Sequence, residues 1–158
     1  MIWIYKLVLT VIGVALFSYI DNARGSVTVA SCICGLTAYC VSELLTAWIG
    51  SGFIMYFISA SVTCFLAEIG ARIMRVPVTV ILLPAIIPLV PGALLYSAVR
   101  SLMLGSSEWY TEYGNEAFRA TAGIGAAIVS VSALARVGCS LIYRIRAVIK
   151  TKKRDSPI

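Results

Sequence analysis

Along this chain the apolar residues neither alternate nor form narrow stripes. They fill long runs, interrupted only by short clusters of charge, glycine or proline. A helix crossing the hydrocarbon core of a bilayer needs roughly 20 predominantly apolar residues, so runs of this kind predict membrane-spanning helices. Five are expected, at about 2–20, 26–43, 50–71, 77–104 and 117–143. The first connection carries Asp21, Asn22, Arg24 and Gly25, the second runs from Glu43 to Ser51, and the third holds Arg72 and Arg75. The fourth, from Gly105 to Glu116, is read as the longest loop, and it contains Glu108, Glu112 and Glu116 without a lysine or arginine.

The fourth run departs from the others. Pro84, Pro88 and Pro91 fall within eight residues and Gly92 follows, which removes amide donors and makes a continuous helix untenable. A break near the middle of the bilayer is tolerated only where the freed backbone faces protein or a watery cavity, and discontinuous helices of this kind build transporter sites. A fresh helix starting after Pro91 presents free amides and the positive end of its dipole. Gly92, Tyr96 and Arg100 recur at four-residue intervals, on one side of that half-helix. The alternative reading is a packing kink, with Arg100 reaching out to the membrane surface.

Composition reinforces the membrane reading. Of 158 residues, 60% are hydrophobic and 13% charged, and the mean hydropathy is +0.95. The expected class is an all-α integral membrane protein, with a transmembrane domain over 1–143 and a basic cytoplasmic tail over 144–158. The net charge of +6 does not point to nucleic acid, because six of the 13 basic residues lie in that tail: Arg144, Arg146, Lys150, Lys152, Lys153 and Arg154. A juxtamembrane anchor on anionic lipid fits the placement better. Lysine and arginine are retained on the cytoplasmic side, so the tail is inside, and five crossings put the N-terminus outside. Trp3, Trp48 and Trp109 then all fall near the outer surface, and Lys6 is expected to snorkel outward. No A-x-A-like site ends the first run, which reads as a retained helix rather than a signal peptide.

Among polar residues in the runs, Glu68 is the carboxylate set deepest, a candidate for carrying a coupling proton. Its plainer role is an ion pair with Arg72, four residues on. Glu43 is read as a solvated helix end. Ala122, Ala126 and Ser130, beside Gly123 and Ala127, suit close helix packing. Cys32, Cys34, Cys40, Cys64 and Cys139 lie in apolar stretches and the chain has no histidine, so packing is favoured over a disulfide framework or a metal site, and no cofactor is expected. No pattern of catalytic residues is evident, so an enzyme is not expected.

The block Pro84-x-x-x-Pro88-Leu89-Val90-Pro91-Gly92, followed by Tyr96, resembles the signature of the threonine/serine exporter family, and Arg72-x-x-Arg75-x-Pro77 ahead of it is similar to the family pattern. The chain's size and five-span layout resemble the family's short, half-length members. The resemblance implies export of small hydrophilic acids, hydroxy amino acids or dicarboxylates such as succinate, across a bacterial inner membrane. It also implies a hetero-oligomer with a larger exporter-family subunit. Pro84, Pro88, Pro91, Gly92, Tyr96 and Arg100 are then the residues expected to receive a carboxylate-bearing substrate. The competing expectation is a non-transporting membrane scaffold or assembly subunit.

Overall fold

The computed structural model describes residues 2–23, 25–105 and 107–154. Arg24, the side chains of Cys139 and of the basic tail from Arg144 to Arg154, and residues 155–158 lie outside the described residues. The described chain is helical: α1 (Ile2–Ile20), α2 (Ser26–Ile49), α3 (Phe53–Met74), α4 (Val78–Ile86), a 3₁₀ turn (Ile87–Leu89), α5 (Gly92–Met103) and α6 (Ser107–Arg154). Among the described residues four helices are long and apolar enough to cross a membrane, and α4 with α5, bent by 55° at the break, brings the number to five if the pair is one span.

Two expected loops are helix instead. The stretch after Glu43 is apolar apart from Thr46 and continues α2 to Ile49, with Thr46 returning its hydroxyl to its own helix at Ser42 O, 2.7 Å away. The connection shrinks to Gly50–Gly52, where Gly50 takes φ 84, a conformation that favours glycine. The Gly105 to Glu116 loop is also corrected, since α6 begins at Ser107. Glu108, Glu112 and Glu116 share one helical face, Trp109 stacks on Tyr113 at 6.1 Å, and acidic residues favour a helix N-terminus. With 48 residues, α6 is about 72 Å long and must project beyond the bilayer.

Packing relies on small residues. Ala38, Ala60, Ala67, Ala85, Ala120 and Ala127 are fully buried, as suits helices that associate without a hydrophobic drive between them. Cys34 and Cys64 are buried among them, while Cys40 is exposed. The α3–α6 seam uses Gly123, Ile124 and Ala127; of the other small residues read as suited to packing, Ala122 and Ala126 are half-buried and Ser130 is exposed. Arg72 fastens the other end of the seam, donating to Ala135 O at 3.2 Å. Helix α1 keeps Trp3, Val8, Ile12, Leu16 and Tyr19 outward, a face suited to lipid.

Candidate functional site

The break is built by three prolines acting differently. Pro84 sits inside α4, fully buried, so Val80 O loses its helical donor. Pro88 and Pro91 can donate to neither Pro84 O nor Ile87 O, and the chain tightens instead: Ile87 N–H turns to Pro84 O, and Val90 N–H to Ile87 O at 3.1 Å. Val90 is extended, and helical bonding resumes when Leu95 N–H reaches Pro91 O at 3.0 Å. The amides of Ala93 and Leu94 precede that first bond and are left to other partners.

The depth of the break follows from its contacts. Leu89 clusters with Ala38, midway along α2, and with Ala60 of α3. Leu94 already shares a pocket with Ser51 and Gly52 of the α2–α3 turn. The break therefore runs from mid-depth to that end of the bundle. From there α5 leans away and packs chiefly on α6, whose roughly 24 Å ahead of Gly123 run past the start of α3.

Because α5 leans away, the C-terminal half of α2 is left facing a cleft of about 300 Å³. Its walls are Tyr39, Ser42, Glu43 and Thr46 of α2, Met55 and Tyr56 of α3, and the chain from Pro88 to Leu94. A β-carbon on Gly92 would meet nothing within 4 Å, so the backbone there is open to a ligand. At the α2 wall Tyr39 donates to Glu43 Oε1 at 2.7 Å, and Lys6 Nζ of α1 lies 3.5 Å from the same oxygen. The outward reach expected of Lys6 is thus replaced by an ion pair, and Glu43 is set within α2 rather than at its end. Sequence reasoning missed both; the signal available was two opposite charges, each about one turn and a half inside the same end of two adjacent antiparallel helices.

The other expected residues are distributed differently. Pro88, Pro91 and Gly92 line the cleft, whereas Pro84 lies beneath it in the core. Tyr96 is 70% exposed, and Arg100 faces Ser97, Ser101, Trp109 and Tyr113 in a hollow of the α5–α6 hairpin. Glu68 lines a separate apolar cleft between α3 and α6 and pairs with Arg72 at 3.4 Å.

No curated protein and no solved structure matches the chain. It does match the family described as Threonine/Serine exporter, ThrE, over residues 6–134. That range takes in α1 from Lys6 onward, all of α2 to α5 and α6 as far as Leu134, so it contains the break and the cleft together. The chain, a multi-pass helical membrane protein with a broken span, belongs to the threonine/serine exporter family.

Proposed function

We propose that this chain is the short subunit of a secondary exporter for small hydrophilic acids, either threonine/serine-type amino acids or dicarboxylates such as succinate. The observation that carries the proposal is the bent span, which opens a cleft with polar groups on its α2 wall, from mid-depth to one end of a bundle belonging to an exporter family. In a bacterial inner membrane with the N-terminus outside and the basic tail inside, that end faces outward. Pro88, Pro91 and Gly92 border the substrate position, with Tyr96 and Arg100 along the path beyond it and Pro84 shaping the break from below. Glu68, toward the cytoplasmic end of α3, is the proposed carrier of a coupling proton.

The chain works in a hetero-oligomer with a larger exporter-family subunit. Supporting this, α5 buries Ala98 and leaves Tyr96, Val99, Leu102 and Met103 exposed, so one side of the broken span has no cover among the described residues. Expressed alone in vesicles, the chain should move neither labelled L-threonine nor labelled succinate. Co-expression with a larger exporter-type subunit from the same cell should restore transport of at least one. Full transport by the purified chain alone would overturn the two-subunit reading.

A further inference from the structure

The polar groups of the cleft are not mixed at random. On the α2 wall the hydroxyl protons are already committed: Tyr39 donates to Glu43, Ser42 to Tyr39 O and Thr46 to Ser42 O. That wall therefore offers acceptors, namely hydroxyl lone pairs and a carboxylate whose Oε2 makes no hydrogen bond among the described residues. The facing wall, the start of α5, offers amide donors. A ligand with a cationic donor at one end and an anionic acceptor at the other matches this arrangement.

The contact with Lys6 points the same way. Charge-assisted N–H···O bonds close to about 2.7–2.9 Å. At 3.5 Å the Lys6–Glu43 pair is loose, and the two side chains retain 52% and 28% of their exposure. Tyr39, in contrast, holds the carboxylate tightly at 2.7 Å. The lysine headgroup is a primary ammonium with three donors, the same chemical group as the α-ammonium of an amino acid.

We propose that Glu43, oriented by Tyr39, receives the α-ammonium group of a transported amino acid, and that Lys6 neutralises the carboxylate while the cleft is empty. The inference rests on the exporter reading above and narrows it to an ammonium-bearing substrate. A dicarboxylate would bring like charge against Glu43 with nothing in return for displacing Lys6.

The test is efflux from host cells carrying chromosomal Glu43→Gln, Lys6→Met or Tyr39→Phe, preloaded with labelled L-threonine or labelled succinate, with membrane abundance followed by immunoblot. Glu43→Gln should raise the half-saturating threonine concentration about tenfold or more, the weight of one charge-assisted hydrogen bond. Tyr39→Phe should raise it by less. Lys6→Met should lower it, because a competing cation is gone. A purely structural ion pair would make the Lys6 and Glu43 variants move the same way, and that result would overturn the proposal. Should Glu43→Gln fail to insert, the opposite shifts of Lys6→Met and Tyr39→Phe decide, and a shared direction again overturns it. Wild-type cells that export succinate but not threonine keep the exporter reading and remove this one. Cells that export neither, relative to a deletion strain, remove both.

Discussion

Gly123 is where the bundle has least room. A β-carbon there would lie 2.8 Å from Phe53 O, 3.1 Å from Tyr56 Cβ and 3.2 Å from Phe57 N. Unstrained contacts between carbon atoms begin near 3.5 Å, and two of these three neighbours are backbone atoms of the first turn of α3, which cannot rotate aside. Gly123→Ala therefore forces α6 off α3 by about half an ångström along a seam that also buries Ile124 and Ala127. Overpacking of this kind costs about 1–3 kcal/mol, against which alanine's higher helix propensity returns up to about 1 kcal/mol. A net loss of about 1–2 kcal/mol is expected. Gly125, two residues on, is the control: nothing lies within 4 Å of its added β-carbon, so Gly125→Ala keeps the propensity gain alone. Reversible unfolding in mixed detergent micelles, with helicity followed by circular dichroism, compares the three proteins directly. Gly123→Ala as stable as wild type, or Gly125→Ala equally damaging, would refute the packing argument.

Arg72→Met removes both the bond to Ala135 O and the partner of Glu68, and should cost about 1–3 kcal/mol in the same unfolding assay; adding Glu68→Gln should recover part of that loss, and a double variant no better than Arg72→Met would show the pair is not coupled. For orientation, a cysteine placed at Glu112 should react with a membrane-impermeant maleimide applied to intact cells, and one at Lys152 should not. The reverse pattern would invert the topology.

The spans were legible because membrane helices announce themselves by length and apolarity, and the break because prolines cannot donate. The missed helical stretches share a cause. Thr46, Glu108 and Glu112 are polar and lie next to glycine or charge, the pattern of a connection, whereas threonine can return its hydroxyl to the helix and glutamates four apart can share a face. The family was legible in the block from Pro84 to Tyr96. The α2 wall of the cleft was not, because Lys6 and Glu43 are 37 residues apart and only the pairing of α1 with α2 brings them together. Periodicity did place Gly92, Tyr96 and Arg100 on one side of α5, yet it carries no information on the 55° lean that turns this helix away from the cleft below it.

The most direct test of a substrate path at the broken span is Gly92→Leu. The added side chain meets no neighbour at its β-carbon, so folding and assembly should be unaffected, while its bulk enters the cleft bounded by Glu43, Tyr56 and Pro88. Export of labelled L-threonine and succinate is measured in a deletion strain complemented with wild type or with Gly92→Leu at equal membrane abundance. Wild type should restore export and Gly92→Leu should not; export at the wild-type rate through Gly92→Leu would contradict a substrate path through this cleft.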